Sequence, residues 1–196
     1  AHLDHLGMKE GEIFNGADDN ASGVAGILEM ARTVSAYPCK CNVIFIAFAG
    51  EEIGDMGSNY FINNLSFDKN EIGAMMALDM IGRLDADTEE LAVISPNIDS
   101  SMLIALIEDS RYEEDRIDWE YMESWPRKHS GDHFPFVLAD IPALWLFSGI
   151  HPDYHQLTDD SEKIDFSFLH NNTRFALSLL RKLDEKLSDG TGMEGD

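Results

Sequence analysis

Four continuous apolar runs set the limits on what this chain can fold into: Asn42 to Ala49 (NVIFIAFA), Ala74 to Leu78 (AMMAL), Leu91 to Ser95 (LAVIS) and Ile141 to Phe147 (IPALWLF). Each is strand-length, and none alternates apolar with polar residues. Such runs read as strands buried on both faces, which requires helices on both sides of the sheet. The segments between them carry the helical period. Val24, Ile27, Leu28 and Ala31 follow i, i+3, i+4, i+7. Met102 to Ile107 is apolar after two serines able to cap a helix. Leu169, Ala176, Leu180, Leu183 and Leu187 share one face, and Gly190 follows as a stop signal. Helices alternating with buried strands specify an α/β protein, a three-layer α/β/α sandwich. The polar segment Arg111 to Gly131, which carries aromatics and Pro126, is expected to be a long loop over one end of the sheet. No repeat or linker divides the chain, so residues 1–187 are read as one domain and 188–196 as a frayed tail.

Composition narrows the function. A chain of 196 residues with 44% hydrophobic content closes one substantial core. Fourteen basic residues against 37 acidic ones leave a net charge of −23. That balance opposes nucleic acid, whose phosphates need a basic face, and opposes an anionic membrane surface. No run approaches the roughly 18 apolar residues of a membrane span. Cys39 and Cys41, two residues apart, are expected to be unbridged and structural.

The residues able to do chemistry cluster at particular points of this pattern. His2-Leu3-Asp4 opens the chain, and Gly16 to Gly23 (GADDNASG) precedes the first helix. Glu51-Glu52 follows one predicted strand, Asp79 follows the next, and Tyr154-His155 with Asp159 lies beyond the last. Open α/β sheets bind ligands outside the carboxyl ends of their strands, so these groups are expected to meet at one rim. Carboxylates crowded there repel, and burying them unpaired is costly. One or two divalent cations relieve both problems. Imidazoles with carboxylates and no thiolate suit zinc, with manganese or cobalt also compatible. Singly, each element has an ordinary explanation: Asp18-Asp19-Asn20 can cap a helix, and Glu51-Glu52 can occupy a first helical turn. Their occurrence together favours a metal site. His5, His129 and His170 are assigned no role, while His133 and His151 stand between lining the site and packing.

The ordered set His2-x-Asp4, Asp18-Asp19-Asn20-Ala21-Ser22-Gly23, Glu51-Glu52, Leu78-Asp79, Ser130-Gly131-Asp132-His133 and His155 with Asp159 resembles a known family. It is similar to the co-catalytic dinuclear-zinc metallopeptidases, which include bacterial leucyl aminopeptidases, glutamate carboxypeptidase and glutaminyl cyclase. Gly149 to His155 most resembles the bacterial aminopeptidase-like members. The resemblance implies two zinc ions, with His2 and Asp79 on one, Glu52 and His155 on the other, and Asp19 bridging them. It implies Glu51 as general base toward an activated water, and Tyr154 as a hydrogen-bond donor to the oxyanion. Asp4 would accept a hydrogen bond from the His2 ring, and Asp159 would do similar work near His155. The Asp19–Asn20 peptide is expected to be cis and the sheet mixed but mostly parallel. The implied activity is release of N-terminal residues from peptides. A single-zinc glutaminyl cyclase is the alternative, and His2 with Asp79 weighs against it. A carboxypeptidase-type or a non-catalytic member is a further alternative, and Glu51 weighs against the latter. Many relatives are secreted, so an extracellular or periplasmic location is expected. Because Ala1-His2 opens the chain without Met or signal peptide, an upstream segment carrying targeting information and a strand is expected to have been removed or left out.

Overall fold

The computed structural model describes residues 1–84, 91–94, 98, 100–110, 119–122 and 131–190. Along the chain run β1 (Met8–Lys9), β2 (Glu12–Ile13), α1 (Gly23–Ala36), α2 (Met56–Asn63), β3 (Met75–Asp79), β4 (Leu91–Ile94), α3 (Ser100–Ser110), β5 (Trp119–Met122), α4 (Phe134–Leu138), β6 (Ala143–Phe147) and α5 (Phe166–Ser188). The last four strands form one sheet in the order β3-β6-β4-β5. The β3–β6 and β4–β5 pairs are parallel and the β4–β6 pair is antiparallel, so the sheet is mixed and mostly parallel.

The period of two along β3 and β6 builds the layers. Leu78, Leu144 and Leu146 turn to one face, where Ile27 and Met30 of α1, Ile107 of α3, and Phe175 and Leu179 of α5 cover them. Ala77, Trp145 and Phe147 turn to the other face. There Ala143 meets Phe136 of α4, with Phe61 of α2 packed against them. Every residue of β6 is buried, as a central strand covered on both sides requires. This is the three-layer α/β sandwich that the alternation predicts. The Asp165 carboxylate opens α5 by accepting from the backbone N–H groups of Ser167 and Phe168. Gly190, at φ 77, follows the end of that helix, and its N–H donates to the Leu187 carbonyl.

Several expectations change in detail. Asn42 to Ala49 is not a two-face-buried strand. It pairs only at Phe48, in a parallel bridge to His2. Phe48 N–H donates to Ala1 O at 3.0 Å, and Leu3 N–H donates to Phe48 O at 2.7 Å. Among the described residues no ladder accompanies residues 42–47, and Ile44 is 59% exposed. The run predicted from Ile141 pairs only from Ala143, because Pro142 has no N–H to contribute. In α1, Leu28 faces solvent while Gly26 and Met30 turn inward. Within the predicted loop Arg111 to Gly131, Trp119–Met122 is a strand, and 111–118 and 123–130 lie outside the described residues. The predicted tail begins one residue early, since α5 runs through Ser188; residues 191–196 lie outside the described set. β1 and β2 form an unpredicted hairpin, whose turn residues Glu10 and Gly11 both take positive φ, as a type I′ turn needs. Cys39 and Cys41 are both free.

His133 yields a prediction about the sheet's second face. Its ring is buried and stacks on Trp145 at 5.0 Å, which in turn stacks on Phe147 at 4.7 Å. Burial pushes the imidazole down from 6.5 to about 4. Between those values the unfolded chain binds a proton that the folded chain refuses. This contribution to stability is therefore complete above pH 6.5 and is lost as pH falls toward 4, by about 3 kcal/mol at full titration. His133→Phe is expected to flatten that part of the stability profile. Denaturant titrations of both proteins at several pH values check it, and parallel profiles would refute it.

Candidate metal centre

Three backbone devices bring distant side chains to the rim where β3 ends. The first holds Glu51-Glu52: the Asp4 carboxylate accepts from Gly50 N–H with both oxygens, at 2.9 and 2.8 Å. The second joins the turn Ala17–Ser22 to the end of β3. Asn20 donates to Leu78 O at 3.0 Å and accepts from Met80 N–H at 3.2 Å. Asp18 accepts from Gly82 N–H at 2.8 Å, and the Ser22 hydroxyl accepts from Ile81 N–H at 3.1 Å. The third is Asp159, whose carboxylate accepts from the backbone N–H groups of Asp18 and Asp19 at 3.1 Å. The Asp19–Asn20 peptide is cis. Met80, next to Asp79, and His155 itself take positive φ at 50° and 57°, conformations that non-glycine residues keep mainly where surrounding structure enforces them.

Asp19 lies at the middle of what results. Its Oδ1 is 3.2 Å from His2 Nε2, which is 3.4 Å from Asp79 Oδ1. Its Oδ2 is 3.3 Å from His155 Nε2 and 3.6 Å from His5 Nδ1. Glu52 faces both of those rings, with Oε2 at 2.9 Å from His155 Nε2 and Oε1 at 2.7 Å from His5 Nδ1. A tetrahedral zinc with bonds of about 2.0–2.1 Å separates its donors by about 3.3 Å. The contacts of Asp19 and Asp79 therefore have the spacing of ligand edges around an ion. Among the described residues two groups can each hold a metal: His2, Asp19 and Asp79, and His5, Asp19 and Glu52. Asp19 belongs to both.

The unpaired atoms agree with that spacing. Glu52 Oε1, Asp79 Oδ1, His155 Nε2 and both His5 nitrogens are buried without a hydrogen-bond partner among the described residues. Leaving such atoms unpaired in a fold is costly, and a cation satisfies them together. The His2 ring is already turned for it. Its Nδ1–H donates to the Asp4 carbonyl at 2.7 Å, which directs Nε2 at the carboxylates. Without a cation the charge is balanced by protons. Burial works against a charged His2, but the adjoining carboxylates of Asp19 and Asp79 win, and the imidazole is pushed up to about 12. Burial likewise opposes ionisation of Asp19, yet His155 and His2 hold its carboxyl below the usual range. Glu51 goes the other way: burial first, then the charge of Asp79, push its carboxyl up to about 9.

All five residues assigned as ligands, His2, Asp19, Glu52, Asp79 and His155, meet here, and Glu51 stands beside them with Oε2 at 4.0 Å from His2 Nε2. Three roles change. Asp4 receives the His2 ring through its backbone carbonyl, while its carboxylate anchors Gly50. Asp159 holds the backbone of Asp18 and Asp19 instead of serving His155. The Tyr154 ring stacks on His155 with centroids 3.8 Å apart. His5, assigned no role, is in the cluster. The available signal was its place one residue after Asp4, in a segment with no period to interpret. His151 is buried, with Nε2 at 3.2 Å from Asp18 Oδ2, so it packs behind the turn Ala17–Ser22.

An α/β sandwich with imidazoles and carboxylates spaced for ions at the carboxyl end of its sheet has the build of a metallohydrolase domain. Comparison with known sequences and structures makes this specific. Residues 1–180 match the profile described as peptidase family M28, and the chain belongs to that family. It is 32% identical over 158 residues to aminopeptidase YwaD of Bacillus subtilis, an alignment covering 76% of this chain and 33% of that one. The fold is similar to that of BSAP, a zinc aminopeptidase from Bacillus subtilis, with a TM-score of 0.75 and 26% identity, covering 92% of this chain and 45% of BSAP. It is also similar to an aminopeptidase from Aneurinibacillus sp. strain AM-1, with a TM-score of 0.71 and 28% identity, covering 86% and 40%. The chain thus spans between a third and a half of these relatives' length.

Proposed function

We propose that this chain is the metal-binding catalytic domain of a zinc-dependent aminopeptidase. The observation that carries this reading is the shared carboxylate: one oxygen of Asp19 faces His2 and the other faces His155. His2, Asp19 and Asp79 would hold one zinc, and Asp19, Glu52 and His155 the other. The donor set fits, being imidazole and carboxylate with no thiolate. Bound zinc would supply an acidified water and polarise the scissile carbonyl.

The chain's own residues do the rest. Glu51 belongs to neither donor set, yet its Oε2 sits 4.0 Å from His2 Nε2. Its carboxylate takes the proton of the attacking water and returns it to the leaving amine. Tyr154, whose ring stacks on His155, would donate a hydrogen bond to the oxyanion. The acidic rim favours a free α-amine over a carboxylate, which supports cleavage from the N-terminus. The similarity to aminopeptidase YwaD and to the zinc aminopeptidase BSAP supports the same activity. Hydrolysis of a panel of aminoacyl anilides by the zinc-loaded protein tests it. Activity removed by a chelator and restored by zinc is expected; inactivity on the whole panel would reject the reading. Elemental analysis showing one zinc per loaded chain would point to a cyclase instead.

A further inference from the structure

We propose that His5 is a further protein ligand, through Nδ1, of the ion held by Glu52, His155 and Asp19. The proposal rests on the reading that this site binds zinc. The His5 side chain is 6% exposed, and neither nitrogen has a hydrogen-bond partner among the described residues. Nδ1 nevertheless points into the cluster, 2.7 Å from Glu52 Oε1 and 3.6 Å from Asp19 Oδ2. The alternative is a ring that orients Glu52 by donating a hydrogen bond to it. At 2.7 Å that bond would form if the oxygen lay along the N–H direction, and it does not form. A buried, unpartnered imidazole nitrogen close to two carboxylates, on a ring that meets another imidazole, is the arrangement a metal requires.

The surrounding backbone is shaped to keep the ring there. Gly16 takes φ 63, and a Cβ at this position would lie 2.6 Å from His5 Cγ and 2.3 Å from Asp19 O. Absence of that Cβ lets the turn Ala17–Ser22 close directly over the imidazole. On its other side the His5 ring meets His155 edge-on, with centroids 5.6 Å apart.

The consequence is a pair of unlike sites. One ion has four protein donors, His5, His155, Glu52 and Asp19, as closed structural zinc sites have. The other has three, His2, Asp79 and Asp19, and keeps the open position of a catalytic zinc. The His5 ion is therefore retained when the His2 ion is stripped.

Two measurements on the whole chain test this. In competition for zinc with a chromogenic chelator, the wild type is expected to release its ions in two steps. His5→Ala is expected to lower the affinity of the tighter step by at least about tenfold, the smallest loss seen for removal of even an outer partner. The cation-free variant is checked against wild type by circular dichroism. Should it not fold, a zinc-loaded crystal structure of the wild type decides, with His5 Nδ1 expected about 2.0–2.1 Å from the ion. Two bound ions with unchanged affinity in His5→Ala, or a His5 ring outside bonding distance of both, overturns the His5 assignment and leaves the peptidase reading intact. Zinc failing to bind the wild type overturns both.

Discussion

Replacing Asp19 by alanine is expected to strip zinc from both donor sets and to abolish chelator-sensitive hydrolysis. The reason is that this carboxylate is the one group common to both. Its Oδ1 is 3.2 Å from His2 Nε2 and its Oδ2 is 3.3 Å from His155 Nε2. Without it, each ion loses an anionic donor, and nothing screens the two ions from each other. Even outer partners of a metal ligand are worth about 10–100-fold in affinity, so a shared direct ligand is expected to cost more than about 100-fold at each site. The scaffold around the position survives, because Asp159 grips the backbone N–H of Asp19 and not its side chain. Elemental analysis of dialysed protein, alongside the anilide assay, reads the result. Two zinc ions retained by Asp19→Ala would show that the carboxylate is not shared.

Glu51→Gln is expected to separate chemistry from metal binding. Gln keeps the shape of Glu but cannot take a proton from water. Loss of a positioned general base costs about 10²–10⁴-fold, and kcat is expected to fall by that factor. Metal content is expected to stay at the wild-type value, since Glu51 belongs to neither donor group. The amide also removes a carboxyl that burial and Asp79 already hold up to about 9, so the cation-free fold loses no needed charge. An unchanged kcat would remove Glu51 from the mechanism. A drop in zinc content would make it a ligand.

Parts of this were legible in the sequence because burial leaves a local period. β3, β6 and α5 sit where their apolar patterns place them, and β6 is buried throughout. Asn42 to Ala49 has the same composition and yet pairs only at Phe48. An apolar run shows that a segment suits a covered sheet; it does not say which strands will lie beside it. Trp119–Met122 was lost inside a polar segment for the opposite reason, since a strand of four residues is too short to declare a period. The hairpin at Glu10-Gly11 lacks the apolar alternation that would reveal it. In the site, Asp19, Glu52, Asp79 and His155 could be named because each follows or precedes a recognisable element. His5 has no such marker.

What the sequence determined by itself is the kind of object: a sandwich with covered strands, an acidic character, and a stock of imidazoles and carboxylates near strand ends. Those properties depend on residue type and on spacings of a few positions. What only the tertiary structure decided is the pairing of atoms. Which oxygen of Asp19 faces which ring, why Asp159 holds a backbone and not a histidine, and whether His5 points inward all depend on contacts between remote segments. Asp18 and Asp159 are 141 residues apart in the chain and 3.1 Å apart in the fold. Backbone hydrogen bonds over such separations are set by how the layers pack against one another, and no local pattern of side chains encodes that distance.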